Sequence, residues 1–341
     1  MKNYDVSVIV PIFRIDDELL KNCVQSLVKQ TSMGFSYEVI LVDDGSTKEN
    51  ARICDDFAFK YEYIKVIHSV NRGVSVARNI GLDNSNGEYV CFVDPDDCLR
   101  ENFLAEAYRI ASESKIEILL FRFITSKDLE SGFSWINEKQ KECVKRDLNE
   151  DELQAMFSKI VSISSDEYNS GACWGKLIKR NFIEKNNLRF VSGVKKAQDR
   201  IFMLDCLACN PIASTYDAVG YVYTIANGFS ICHKYNPEIV DILEYTQKEI
   251  KKRVERYGEK YKSAFYTMNM MFFFEYMQLY FANKENHKTE KQRIGDMKSI
   301  LSTEPYKSSL WKVKIFSVRK RCSMMIIFLR LKMYKMAIKL F

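Results

Sequence analysis

The chain has 341 residues, 47% of them hydrophobic, enough for a substantial core in one large domain or two unequal ones, which excludes disorder as a description of the whole. Its net charge of +6 is unevenly placed: ten Lys or Arg and no Asp or Glu lie between Tyr306 and Phe341, and setting those ten aside leaves −4 on residues 1–305. The basicity belongs to the tail and not to the body, and no nucleic-acid-binding motif accompanies it.

At the start, Asp5 stands just before the short apolar run Val6 to Phe13. This is too short, and lacks the basic start and small-residue cleavage site, for a secretory signal peptide, so retention in the cytoplasm is expected. The ten cysteines are irregularly spaced, as free, mostly buried thiols are in that compartment. Cys206 and Cys209 have C-x-x-C spacing, but in a helical-looking run and without the second pair that a structural zinc site needs, so core packing is the reading taken for them.

Short β-branched runs alternate with helical patterns through the first 125 residues, the signature of parallel strands crossed by helices. The strands predicted are Val6–Val10, Glu38–Val42, Ile64–Ile67, Tyr89–Val93 and Ile116–Phe121. Between the first two, Leu19, Leu20, Cys23, Val24, Leu27 and Val28 fall on one helical face, which should pack on the sheet. Beyond Thr125 a polar stretch runs to about Asn149, followed by short helices and one more β-like run at Gly220–Ile225. From about Pro237 the chain reads as helical, aromatic-rich over Phe265–Phe281 and basic at its end.

Ligands of parallel sheets bind beyond the carboxyl ends of the strands, so those ends carry the functional reading. Here they are Pro11-Ile12-Phe13, Asp43-Asp44-Gly45-Ser46 and Asp94-Pro95-Asp96-Asp97. Five carboxylates converging on one sheet edge repel one another unless a cation or donor groups lie between them. A divalent ion holding a diphosphate is the economical solution, and Asp94 and Asp96 suit Mg²⁺ or Mn²⁺. The plainer alternative is that Asp96 or Asp97 caps a helix beginning near Arg100. Taken singly, Asp44-Gly45-Ser46 is an ordinary turn and Arg78-Asn79 an ordinary helix surface; their order and spacing change that.

Four blocks in order, Val6-Ser7-Val8-Ile9-Val10-Pro11, Val42-Asp43-Asp44-Gly45-Ser46-Thr47, Asn71 through Gly81, and Phe92-Val93-Asp94-Pro95-Asp96-Asp97, resemble the family 2 glycosyltransferases. The likeness covers about the first 100 residues well and the next 130 loosely. It implies an α/β fold, a GT-A type nucleotide-binding sheet with flanking helices, followed here by a C-terminal helical region. By position it implies that Pro11 and Phe13 line the nucleobase and ribose pocket and that Asp44, with Asp43, accepts hydrogen bonds from the base, most often uracil. Arg78 would approach the nucleotide, Asp94 would face ribose and metal, and Asp96 would coordinate Mn²⁺ or Mg²⁺ directly. A metal-bridged diphosphate is a better leaving group than a free one, which agrees with that assignment.

The family's base is usually the Asp of a Glu-Asp pair that opens a helix. The matching segment makes Asp199 the candidate, with Gln198 in place of Glu, and attack opposite the diphosphate would invert the anomeric centre. The alternative role for Asp199 is an N-cap. Two further segments resemble the acceptor side, Cys173 to Arg180 and Tyr221-Val222-Tyr223 followed by Ser230. Trp174 either stacks on an acceptor sugar or is buried. Thr224 and Ile225 stand where many relatives have a basic residue, and His233 is a candidate to reach the metal, though a lone His is more often structural.

In the tail, Met324 to Phe341 is apolar enough to raise a membrane. Carrying Arg330, Lys332, Lys335 and Lys339 to the bilayer centre would cost roughly 10 to 14 kcal/mol against a return of about 4 to 7 from its apolar residues, so spanning loses. On a helical wheel Lys332, Lys335 and Lys339 cluster and Arg330 falls opposite. With five more cations between Lys312 and Arg321, the tail reads as a surface anchor for anionic lipid, the alternatives being packing on the catalytic domain or oligomer contact.

The expectation is a GT-A domain over 1–235, with a nucleotide-binding half at 1–125 and an acceptor half at 126–235, and a helical region over 236–341. It would be an inverting, divalent-metal-dependent transferase moving sugar from a UDP-sugar to a saccharide acceptor, lipid-linked by inference from the tail. Its place would be the inner face of the plasma membrane, in cell-surface polysaccharide synthesis. The rival is a non-catalytic nucleotide-sugar-binding scaffold. Nucleotidyl transfer fits poorly because Pro11 to Glu18 has no glycine, and dinucleotide or P-loop chemistry lacks its motifs.

Overall fold

The computed structural model describes residues 4–30, 33–126, 143–225 and 235–341. Ser230 and His233 lie outside the described residues, as does most of the polar stretch before Asn149. Contacts divide the chain into two compact units, one comprising Met1–Gln154, Asp166–Gly193 and Gln198–Gly228, the other Ala155–Ser165, Val194–Ala197 and Phe229–Phe341.

The first unit is built on one mixed sheet. Its strands are β1 (Tyr4–Ile12), β2 (Tyr37–Asp44), β3 (Ile64–Ser69), β4 (Gly87–Phe92), β5 (Cys98–Leu99), β6 (Ile118–Ser126), β7 (Lys145–Asp147), β8 (Lys176–Lys179) and β9 (Ala213–Thr224). The spatial order is β3-β2-β1-β4-β8-β6-β9-β5, with β7 beside β9. The first four strands are parallel, as predicted. The departure is β8, antiparallel to both β4 and β6, which joins the parallel half to the pair β6 and β9.

β1 is buried on both faces because helices cover both. Val6, Val8, Val10 and Ile12 share a core with Leu20, Cys23, Val24 and Leu27 of helix α1 (Asp17–Val28), the apolar face read from the sequence. Asp16 caps that helix by accepting from the Glu18 and Leu19 amides. The alternate residue Ile9 points to the other face, where helix α3 (Val74–Asp83), which follows α2 (Lys48–Lys60), approaches so closely that a Cβ on Gly81 would lie 2.3 Å from Ile9 Cγ2. Only glycine fits there.

The capping alternative for the acidic motif does not hold. Helix α4 spans Phe103–Glu113 with Asn102 at its N-cap, and β5 intervenes between it and the aspartates. Asp97 is instead buried against β9, where Tyr221 Oη donates to it over 2.6 Å and the Thr224 amide over 2.8 Å. Short helices α5 (Glu150–Val161) and α6 (Arg180–Lys185) precede α7 (Gln198–Ala208). Cys206 is buried in α7 and Cys209, just after it, donates to Asp205 O at 3.3 Å; neither is in a disulfide.

The second unit is helical: α8 (Ile239–Tyr257), α9 (Lys262–Tyr276), α10 (Glu290–Ser302), α11 (Tyr306–Lys312), α12 (Lys320–Arg330) and α13 (Tyr334–Lys339). Its core takes Met268, Phe272, Phe273 and Tyr276 from the aromatic-rich α9. Buried polar groups are paired, Gln247 to Asn269 to Ser309 at 2.8 Å each and Tyr306 to Tyr276 at 2.7 Å. The tail is not the single amphipathic helix implied by the wheel. It breaks at Leu331–Met333, where Lys332 takes a positive φ, and Cys322, Met325, Ile326 and Leu329 are buried. Arg330, the cation that fell on the wrong side of the wheel, turns inward and donates to the carbonyls of Leu310, Trp311 and Val313 at the end of α11. Among the described residues no helix is long and apolar enough to cross a membrane.

Candidate active site

Parallel pairing brings the carboxyl ends of β1, β2 and β4 level, with Ile12 opposite Asp43 and Ile9 opposite both Ile40 and Phe92. Pro11 is buried inside β1, whereas Phe13, just past its end, is 45% exposed. The Ser46 hydroxyl donates to Ile12 O and its amide to Asp43 Oδ1, tying the first two strand ends together. Gly45 makes this turn possible: its φ is +73° and a Cβ would meet Asn71 N at 2.8 Å.

The two aspartates after β2 differ. Asp44 is committed to the loop before α3, accepting from the Arg72 amide at 2.8 Å and the Gly73 amide at 2.7 Å. Asp43 contacts His68 Nδ1 at 2.8 Å, and His68 Nε2 contacts Asp55 at 3.0 Å. Burial alone would raise the Asp43 carboxyl; hydrogen bonds from His68 and Ser46 outweigh it and hold the group below its ordinary range. His68, bonded to Asp43 and Asp55, is raised in turn.

Arg78 is no helix-surface residue, being 3% exposed. Its Nη2 donates to Asp94 Oδ1 at 2.8 Å and its guanidinium lies 5.3 Å from the Phe190 ring, while Nε and Nη1 are buried without a partner. Asn79 holds Phe190 by exchanging two 2.9 Å bonds with its backbone. The Arg78-Asn79 pair thus fixes both an acidic ligand candidate and an aromatic floor.

Past β4, the Asp94 amide donates to Tyr221 Oη, whose proton goes to Asp97. Burial, then Asp94 and Asp96, pushes Asp97 up to about 9. Among the described residues no side chain pairs with Asp96, and burial together with neighbouring Asp94 pushes it up to about 6. That is the electrostatic mark of three gathered carboxylates of which Arg78 meets one, Asp94. No cluster of three or more His, Cys, Asp or Glu stands ready for a metal among the described residues. The two hard oxygen donors Asp94 and Asp96 nevertheless fit a Mg²⁺- or Mn²⁺-type ion whose remaining positions are filled by phosphate and water.

On the acceptor side, Asp199 is the second residue of α7 and its Oδ1 accepts from the Arg200 amide at 2.8 Å. It lies close enough for its charge to act on Arg78, so the base candidate and that arginine belong to one electrostatic neighbourhood. Trp174 is 5% exposed, stacked on Tyr221 at 4.5 Å and near-parallel to Tyr223 at 5.6 Å. Of the two readings of Trp174 the buried one describes it; the open ring of the stack is Tyr223.

Two cations were not singled out from the sequence. Lys176 is wholly buried and donates to the carbonyls of Asn169 and Trp174 at 3.1 Å, with burial pushing its ammonium down to about 8. Arg200, next to Asp199, has a buried Nη1 without a partner and lies over Gly171, where a Cβ would meet that nitrogen at 2.7 Å. The signal available beforehand was Arg200's adjacency to the base candidate and the glycine that makes room for it.

Comparison with known proteins agrees with this geometry. Residues 7–169 match the family model described as Glycosyl transferase family 2. Over 140 residues, 41% of this chain and 46% of the relative, it is 33% identical to glycosyltransferase GlyG of Streptococcus pneumoniae. The chain spans about half the length of the curated relatives it matches. Among solved structures, that of S. aureus TarS 1-349 in complex with UDP-GlcNAc superposes with a TM-score of 0.64 at 18% identity, covering 98% of this chain and 89% of that one. Mannosyltransferase PcManGT of Pyrobaculum calidifontis, in complex with GDP-Man and Mn²⁺, gives 0.53 at 16% identity over 90% and 83%. These likenesses establish the GT-A type sheet, and over residues 7–169 the chain is similar to glycosyl transferase family 2.

Proposed function

We propose that this chain is an inverting glycosyltransferase that uses a UDP-sugar and a divalent metal, with residues 1–235 as its catalytic domain. The observation that carries the proposal is the pair Asp94 and Asp96 at the tip of β4, one held by a buried arginine with unused N–H groups and the other without a cationic partner among the described residues. The solved complexes of TarS with UDP-GlcNAc and of PcManGT with GDP-Man and Mn²⁺ support a nucleotide-sugar donor and a metal.

Within this reading Phe13 and Pro11 line the nucleoside pocket, and Asp43 offers a carboxylate oriented by Ser46 and His68 to the base. Asp44 contributes indirectly, because its hydrogen bonds shape the loop leading to α3. Asp94 and Asp96 hold the ion, which when bound makes the diphosphate a better leaving group. Arg78 holds Asp94 through a charge-assisted hydrogen bond and presents two unused donors to negative charge; each left unmet costs about 1 to 3 kcal/mol. Asp199 accepts the proton of the acceptor hydroxyl, and Tyr223 gives the acceptor sugar an aromatic face. The acceptor is a saccharide, lipid-linked in cell-surface polysaccharide synthesis, with the basic tail resting on anionic lipid at the inner face of the plasma membrane.

The test is UDP release from UDP-sugars with Mn²⁺ or Mg²⁺. Asp199→Asn should lower turnover by about 10²-fold or more while leaving UDP binding intact, and Asp96→Ala should abolish both turnover and the metal dependence of binding. Turnover unchanged in both variants would refute the assignment, and nucleotide binding without turnover in the wild type would favour the scaffold.

A further inference from the structure

The second unit leaves an unusual surface. Trp311 at the end of α11 is 61% exposed, Phe316 on the following turn is 97% exposed, and Met324, Ile327 and Leu331 are exposed at helical spacing along α12. Single exposed hydrophobics are ordinary, but five on adjoining elements are not. They do adjoin. Arg330 binds three carbonyls at the end of α11 and lies 5.8 Å from the Trp311 ring, and Ser323 Oγ donates to Ile315 O, 2.7 Å away, fastening the Phe316 turn to α12.

The cations around these residues divide into two sets. Arg330 and Arg321 are used internally, Arg321 donating to Leu340 O and stacking on Phe341, and Lys335 pairs with Glu290. Lys314, Lys320 and Lys332 are exposed and have no ion-pair partner among the described residues, and Lys314 and Arg319 flank Phe316 in sequence. Exposed Trp, Phe and aliphatic side chains bordered by unpaired lysines, with no acid from Tyr306 to Phe341, are complementary to one kind of partner, an anionic lipid interface. A second copy of the same face would set these cations against one another.

We infer that the chain docks on anionic bilayers through the Trp311–Phe316 turn and the Met324–Ile327–Leu331 face of α12, and not through the Lys332, Lys335 and Lys339 stripe of a continuous helix. This rests on the reading that the tail meets lipid, and it names the surface and the mode of contact. Trp311 and Phe316 enter the headgroup boundary while Lys314, Arg319, Lys320 and Lys332 meet lipid phosphate.

The experiment is flotation of the full chain with vesicles of equal parts phosphatidylglycerol and phosphatidylcholine, against phosphatidylcholine alone. UDP release and thermal unfolding are followed in parallel. Trp311→Ser with Phe316→Ser should weaken binding about tenfold or more, and Lys314→Gln with Lys320→Gln should weaken it about fivefold per lysine. Unfolding and UDP release should stay at wild-type values in both. Lys335→Gln with Lys339→Gln should change vesicle binding little. If the aromatic pair variant binds as wild type while the Lys335 and Lys339 variant loses binding, the tail still meets lipid but this surface is wrong. If the wild type ignores anionic vesicles, the lipid reading itself falls, and if the aromatic variant instead dissolves an oligomer, the partner is a second copy. None of these outcomes touches the transferase reading, which UDP release reports separately.

Discussion

His68 sits between two carboxylates, with Asp43 on Nδ1 at 2.8 Å and Asp55 on Nε2 at 3.0 Å. Carboxylates only accept, so both ring nitrogens carry protons and the ring is an imidazolium. Its pKa is raised above the ordinary 6.5, so its stabilising contribution is complete below that value and is lost as pH rises through the raised one. The Asp43 pKa is lowered from 3.8, so its contribution is complete above 3.8 and is lost as pH falls through the lowered value. The part of the melting temperature set by His68 and Asp43, read as the difference between wild type and a variant lacking the ring, should therefore be flat between these limits and fall on the alkaline side; the raised Asp96 and Asp97 add a decline above pH 3.8 to both proteins. In His68→Gln the alkaline fall attributable to this ring should vanish; an unchanged profile would show that the ring does not hold the charge. At this scale the sequence showed which residues a local motif brings together, as with Asp94 and Asp96 after β4. It offered Asp97 only a helix cap, whereas its partners Tyr221 and Thr224 are more than 120 residues away, and it did not single out Lys176 or Arg200, because no periodicity records a long-range hydrogen bond.

Among the elements, the parallel strands β1 to β4 and helix α1 were legible because a buried strand is a continuous apolar run and a helix covering it repeats every three to four residues. β5, β7 and β8 were not, having two to four residues each, too few to show a period. The tail misled for a different reason: the wheel placed Arg330 by angle, whereas the chain reverses after it and uses its fork of donors to close the end of α11. Arg330→Ala should cost about 1.5 to 3 kcal/mol, the range for hydrogen bonds to a charged group. Arg330→Lys should recover only part of it, because an ammonium cannot reproduce the planar fork. Thermal unfolding together with protease cleavage at residues 313–319 would check this, and wild-type stability in Arg330→Ala would mean these bonds contribute nothing.

For the molecule as a whole, the β-α alternation identified the α/β class but not the mixed sheet. β8 is a four-residue strand whose reversed direction depends on the hydrogen-bonding partners on either side, β4 and β6. β8 runs back from Trp174, whose bridge to Phe92 sets the stack of Trp174 on Tyr221 next to the end of β4. Strand ends encoded by local motifs are thereby joined to a stack assembled from distant segments, and this is why the sequence placed Tyr221-Val222-Tyr223 beside the Cys173 to Arg180 segment only by resemblance and did not show that Trp174 is covered while Tyr223 is the open ring.

The central claim is that the tip of β4 holds a divalent ion against a nucleoside diphosphate, and the most direct measurement is anomalous diffraction at the manganese edge from crystals grown with UDP and Mn²⁺. The account expects one strong peak within coordination distance of the Asp94 and Asp96 carboxylates, with UDP oxygens completing its shell and Arg78 facing the phosphates. UDP bound elsewhere, or manganese bound away from both carboxylates, would contradict it.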